Sequence, residues 1–234
     1  MINNICIIPA RIGSKGIYKK NIKNFCGKPL VVWSIEHALG SKYIDKVVVS
    51  TDSDEIEEIA IRNGAEVYRR SEKNALDEVH AVHAVLECLD FYECVGENVN
   101  YITMLLPTSP LRKSKYIDEA FELLINCDSV ISVSGFEKPI SSLRFINNNN
   151  IANPIVSVDC FEIQRQEVKK KLYEVNGSIY ISTSYHLKKE ISFHRGSIRA
   201  YIMPVNDSVD INTCENWELA EALFYYYNRR RYDE

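Results

Sequence analysis

No apolar run in the 234 residues approaches the roughly 20 that a membrane span needs. Nine Gly and seven Pro are too few for a fibrous or low-complexity chain. The start, Met1-Ile-Asn-Asn-Ile-Cys6, has no charged leader, long apolar stretch or small-residue cleavage site. Among seven cysteines (6, 26, 88, 94, 127, 160 and 214) there is no CxxC pair, and none has a His at zinc-finger spacing. The odd count argues for reduced thiols, expected of a cytoplasmic protein. An excess of positive charge is missing too. The 28 Lys and Arg against 32 Asp and Glu give −4, which excludes a broad nucleic-acid-binding surface.

What is present is a soluble composition, 46% hydrophobic and 26% charged, long enough for one domain with a sizeable core. Its charge is uneven. Arg11, Lys15, Lys19, Lys20, Lys23 and Lys28 fall in one stretch without an acid, leaving the rest of the chain at −10.

Short apolar runs alternate with amphipathic ones. Asn4–Pro9, Lys46–Ser50, Val99–Leu105 and Ser129–Val133 read as buried strands, and their continuous apolar character suits a parallel sheet covered on both faces. Pro29 fits the first turn of a helix to about Leu39, and Ser53 or Asp52 can cap the next. Further helices are expected through Val79–Leu89, through Ile117–Ile125 and from about Glu215. This order predicts an α/β fold: a doubly wound, mainly parallel, Rossmann-like sheet. Residues 135–175 interrupt it with a polar, irregular stretch too long for an ordinary connection. Leu143, Phe145, Ile146, Ile155, Val156, Val158, Phe161 and Ile163 give it enough apolar surface for an arm that packs on a second subunit. The expected division is an α/β domain of residues 1–134 and 176–234 with a dimerisation arm, 135–175, inserted.

The chemistry-bearing segment follows the first strand: Ala10-Arg-Ile-Gly-Ser-Lys-Gly-Ile-Tyr-Lys-Lys-Asn21. Ligands of open α/β sheets bind beyond the carboxyl ends of strands. Gly13 and Gly16 let backbone approach an anion, and Arg11, Lys15 and Lys20 supply charge to it. The GxxxxGK[ST] spacing of a Walker loop is absent.

Pro9-Ala-Arg-Ile-Gly-Ser-Lys-Gly16 with Lys20-Asn21 resembles the N-terminal signature of the CMP-N-acylneuraminate (CMP-sialic acid) cytidylyltransferases. Val49–Ile56, Gly64–Arg70, Pro107-Thr-Ser-Pro-Leu-Arg112, Asn176–Tyr180 and Ser208–Thr213 match in the same order. The resemblance implies a nucleotidyltransferase fold and transfer of CMP from CTP to a sialic acid-like 2-keto-3-deoxy (nonulosonic) acid, for cell-surface glycan synthesis. It implies that Arg11, Ser14, Lys15 and Lys20 hold the triphosphate, and that Ala10, Asn21, Arg70 and the region of His80 hold base and ribose. Residues 106–112, with Leu106, Thr108 and Ser109, would lie beside the acceptor. Asn176 and Tyr180 would line its pocket, and Arg165 of a partner subunit in a homodimer would meet its carboxylate. Arg11, Lys15 and Asp210 would be catalytic, and Asp210 with Asn212 would bind Mg²⁺.

Four positions depart from that family. Leu106 stands where Gln is common, which suggests a modified acid such as legionaminic acid. Asn212 replaces a second Asp, so metal affinity is expected to be lower. His80 stands for a Ser, and Glu174 for a basic residue. Three other features have plainer readings. Asp52-Ser-Asp54 resembles a glycosyltransferase metal motif but suits a helix start. His80 and His83 lack a third ligand at metal spacing. Tyr225–Tyr227 with Arg229–Arg231 suits a helix end. A nucleotide-sugar glycosyltransferase and a non-catalytic CTP-binding homologue are the competing functions.

Overall fold

The computed structural model describes residues 4–75, 79–138, 140, 143–146, 150–154 and 171–230. The first strand, β1 (Asn4–Pro9), carries Ile5, Cys6, Ile7 and Ile8, all buried, so both of its faces are covered. A small hairpin, β2 (Asn24–Phe25) and β3 (Lys28–Pro29), leads to α1 (Leu30–Leu39). Then come β4 (Lys46–Thr51), α2 (Asp54–Arg62), β5 (Glu66–Arg69), the short α3 (Glu72–Ala75), α4 (Ala81–Cys94), β6 (Tyr101–Leu105), α5 (Ser114–Glu122) and β7 (Ser129–Phe136). A second hairpin, β8 (Arg144–Ile146) and β9 (Ala152–Pro154), precedes β10 (Leu172–Thr183), α6 (Ser184–Glu190), β11 (Ile198–Ile202) and α7 (Cys214–Arg230).

Seven strands form the main sheet in the order β11-β7-β10-β6-β1-β4-β5. All run parallel except β10, which is antiparallel to both neighbours. One core packs Val31, Ile35, Ile56, Ile117 and Ala120 on one face. The other packs Val85, Leu89, Tyr92 and Leu187 on the opposite face. Helices on both faces make this the doubly wound α/β fold that the sequence predicts. Because β4 and β6 flank β1 on opposite sides, the strand order reverses there and opens a crevice at the carboxyl ends.

A third cluster serves the site. Ile17, Phe25, Leu30, Leu111, Ile211, Trp217 and Ala220 bury together, with Phe25 edge-on to Trp217 at 5.4 Å. It draws the loop after β1, the turn after β6 and the 210–212 segment onto α7. Burying each of the larger members contributes about 1.5–3 kcal/mol, so the three segments share one hydrophobic foundation.

Several boundaries differ from expectation. Pro29 caps α1 from outside instead of entering its first turn, since its extended ψ of 142° belongs to the hairpin. Ser53, not Asp52, caps α2 by accepting from Ile56 N. Val79 precedes α4. Leu124 and Ile125 lie beyond α5, in a turn where Asn126 takes a φ of 56° and sends the chain into β7. On α7 the packing face is Trp217, Ala220, Leu223 and Phe224, while Leu219 and Tyr226 face outward.

Of the expected arm, Leu143, Phe145 and Ile146 belong to the described residues. Ile155, Val156, Val158, Phe161, Ile163 and Arg165 lie outside them. Phe145, Ile146 and Ile151 are exposed on the second hairpin. The β7–β10 ladder reaches Phe136 paired with Leu172, so the sheet continues past the expected borders at 135 and 175.

Candidate active site

The loop after β1 is held by three tethers. Ala10 N donates to Ser50 O at 2.9 Å, Ile12 N to Asp52 Oδ1 at 3.0 Å, and Asn21 Nδ2 to Arg11 O at 2.8 Å. The first two fix the loop to the end of β4. The third folds its return limb onto its start. Asp52 therefore works as a clamp, and the partner of Asp54 is Arg69 at 2.8 Å. The two carboxylates serve separate contacts.

The tethered loop exposes Arg11, Gly13 and Ser14 to a cleft also lined by Lys20, Asn21, Arg70, Asn74, Leu106, Thr108, Asp210 and Asn212. Gly13 has open space where a Cβ would stand. A Cβ at Gly16 would overlap the carbonyl oxygen of Asn212. The two glycines thus do different work: Gly13 leaves room in the cleft, and Gly16 lets the loop cross the 210–212 segment.

Lys20 Nζ crosses to Ile211 O at 2.6 Å. Burial pulls its pKa down, Asp210 opposes that shift, and Arg11 adds to it. Arg70 follows β5, donates to Ser50 O, and is likewise pulled down by burial, with Asp52 opposing. Arg11, Lys20 and Arg70 thus line the same crevice as Asp210. Lys15 lies exposed on the same loop, outside the cleft lining.

Asp210 Oδ2 accepts from Asn212 Nδ2 at 2.7 Å, while its Oδ1 is buried with no hydrogen-bond partner. Among the described residues no three His, Cys, Asp or Glu side chains form a metal cluster. One orphaned carboxylate oxygen beside a phosphate-sized cleft suits a Mg²⁺ ion, which commonly takes one or two carboxylates and fills its shell with phosphate and water oxygens. Asn212 acts here as a donor that secures Asp210.

The remaining expected residues divide. Leu106 and Thr108 line the cleft. Ser109 does not: it is fully buried behind the turn. Asn176 is 5% exposed, and its amide is spent internally, accepting from Ser132 Oγ at 2.6 Å and donating to Ser208 Oγ at 2.9 Å. Tyr180 is buried against Phe193 and His194, and burial followed by the charge of Asp210 raises its pKa. Both stand behind the wall and shape it. His80 is exposed at the start of α4 and faces an adjoining hollow with His83 and Glu87. Its extended backbone (ψ 142°) turns neighbours Val79 and Ala81 toward the cleft instead. Asn74, Val79 and Ala81 carry no motif and were missed, because their approach depends on where the chain after β5 returns.

Three comparisons bear on this geometry. The family model for cytidylyltransferases matches residues 5–184. The CMP-N,N'-diacetyllegionaminic acid synthase of Legionella pneumophila is 35% identical over 94% of this chain and 95% of its own. The pseudaminic acid cytidylyltransferase of Campylobacter jejuni (strain 81-176) is 31% identical over 95% and 97%. The N-acylneuraminate cytidylyltransferase of Escherichia coli O18:K1:H7 is 34% identical over 98% of this chain, which spans about half, 54%, of that relative. A solved CMP:2-keto-3-deoxy-manno-octonic acid synthetase complexed with CTP superposes with a TM-score of 0.68 at 15% identity, covering 95% of this chain and 98% of that one, a likeness of fold. With the crevice at the strand-order reversal and matches of this length, the chain belongs to the CMP-sialic acid cytidylyltransferase family and is a nucleotidyltransferase.

Proposed function

We propose that this enzyme transfers CMP from CTP to the 2-hydroxyl of a nonulosonic acid, releasing pyrophosphate. One observation carries the reading: three cationic side chains, Arg11, Lys20 and Arg70, meet the orphaned carboxylate oxygen of Asp210 across a cleft at the strand-order reversal. Arg11, Ser14, Lys15 and Lys20 hold the triphosphate, and Lys15 swings in from its exposed position. Ala10, Asn21 and Arg70 hold ribose and base. The acceptor oxygen bonds to the α-phosphorus as the bond to the departing pyrophosphate breaks, and fixed cations offset the charge that gathers there. Asp210 holds Mg²⁺, which would lower the cost of that charge when bound.

Leu106, with Thr108, forms the acceptor wall, and its apolar side chain favours an acid presenting an apolar group, as legionaminic-type acids do. The enzyme acts as a homodimer in the cytoplasm. The exposed Phe145, Ile146, Ile151, Tyr173 and Val175 support a partner-covered arm, from which Arg165 reaches the acceptor carboxylate. A pyrophosphate-release assay crossing four nucleoside triphosphates with nine- and eight-carbon 2-keto-3-deoxy acids tests the reaction. The expected result is release with CTP and a nine-carbon acid. Release confined to an eight-carbon acid, or none with CTP, overturns the reading.

A further inference from the structure

Among the described residues Arg112 is the largest fully buried side chain, at 1% exposure, and no carboxylate pairs with it. Its partners are neutral oxygens. Nη1 donates to Ser178 O at 2.6 Å and to Leu106 O at 3.5 Å, while Nη2 donates to Ser34 Oγ at 2.6 Å. Ser34 Oγ in turn donates to Leu106 O at 3.2 Å. The nearby Cys6 thiol, pushed up to about 12 by burial, stays neutral and gives no counter-charge. Burial lowers Arg112 itself to about 10, which leaves it cationic at neutral pH. An unpaired buried cation is costly, and a hydrophobic side chain of similar volume would often be at least as stable. Its hydrogen bonds point to another use.

Of the two carbonyls that Arg112 grips, one belongs to a residue lining the cleft and the other lies buried behind it. Leu106 is the lining residue. Ser178 follows Gly177, whose φ of 71° lets the chain pass where a Cβ would stand 3.7 Å from both Leu106 Cδ1 and Asp210 Oδ2. Two residues on from Leu106, Thr108 O accepts from Ile211 N at 2.8 Å, and Ile211 O accepts from Lys20. One guanidinium therefore ties the Leu106–Thr108 wall to the β10 backbone that passes behind Leu106 and Asp210.

We propose that Arg112 is a positioning residue that fixes the acceptor side of the cleft, acting through the carbonyls of Leu106 and Ser178 and through Ser34. This role rests on the cytidylyl-transfer reading. Lys carries its three donors on a single nitrogen, which cannot stand at both the Nη1 position beside Ser178 O and the Nη2 position beside Ser34 Oγ, so Lys is not an equivalent.

The test measures KM for CTP and for the acid separately, with thermal melting, in Arg112→Lys and Ser34→Ala. Ser34→Ala keeps a helix-compatible side chain of nearly the same volume, so it gives an answer even if Arg112→Lys fails to fold. The acid KM should rise by roughly tenfold in Ser34→Ala, the scale of one charge-assisted hydrogen bond, and by more in Arg112→Lys, with the CTP KM changed by less than about twofold. A folded variant that loses only kcat, or in which both KM values rise together, would overturn the positioning role. Wild-type enzyme that releases no pyrophosphate with any acid would overturn the underlying reaction as well.

Discussion

The two sides of the cleft are built in opposite ways. The proposed phosphate side is a polar loop whose shape comes from three tethers, Ser50 and Asp52 at the end of β4 and Asn21 of the loop itself each holding one backbone group. Its cations project into the space those tethers leave. The proposed acceptor side is a wall formed by Leu106 and Thr108, with most of its polar residues turned into the protein. Ser109, Asn176 and Arg112 are buried, and Arg112 grips the carbonyls of Leu106 and Ser178. Charge recognition needs side chains at the surface of the cleft. Shape recognition needs a rigid backbone, and buried hydrogen bonds provide that.

The largest expected effect breaks the meeting point of the two sides. Asp210→Asn should lower turnover by about 10²–10³, the scale of losing one charge-stabilising group, while the melting temperature stays within a few degrees. Pyrophosphate release near the wild-type rate would show that Asp210 is not the metal-side carboxylate. Gly16→Ala should strike stability next, because its Cβ overlaps backbone that cannot rotate away. A loss of about 1–3 kcal/mol is expected in denaturant melts, and an unchanged midpoint would remove the crossing role of Gly16. Asp52→Asn should then raise the CTP KM by roughly tenfold, since a charge-assisted tether to Ile12 N is weakened, and leave the acid KM alone. A parallel rise in both constants would merge the two sides that the tethers keep distinct. The smallest effect lies outside the cleft. Ser53→Ala removes a helix cap and should cost about 1 kcal/mol of stability with no change in turnover of the folded enzyme.

The same contrast explains what the sequence made legible. Continuous β-branched runs pointed to a parallel sheet because both faces of β1 and β4 are covered. The loop after β1 was readable because its glycines and cations are clustered in sequence. The antiparallel course of β10 left no local mark, since Ser178–Ser182 is as buried as its parallel neighbours. Asn176 and Ser109 carried the right chemistry for a sugar pocket, but polarity does not tell which way a side chain turns. Their inward direction follows from a β10 irregularity between Val175 and Tyr180 and from the turn after Pro107. Arg112 belongs to the turn that the resemblance sets beside the acceptor, but its burial is not legible locally, because its partners include a backbone carbonyl 66 residues away at Ser178. Gly16 suggested ligand approach, and only the path of the 210–212 segment shows what it accommodates.

The most direct measurement takes one variant from each side, Lys20→Ala and Leu106→Gln, and determines KM for CTP and for the nonulosonic acid in both. Lys20→Ala should raise the CTP KM and lower kcat, with the acid KM nearly unchanged. Leu106→Gln should shift the acid KM and the preference among acids, with the CTP KM nearly unchanged. If both variants move the same constant, the cleft does not have two separately built sides.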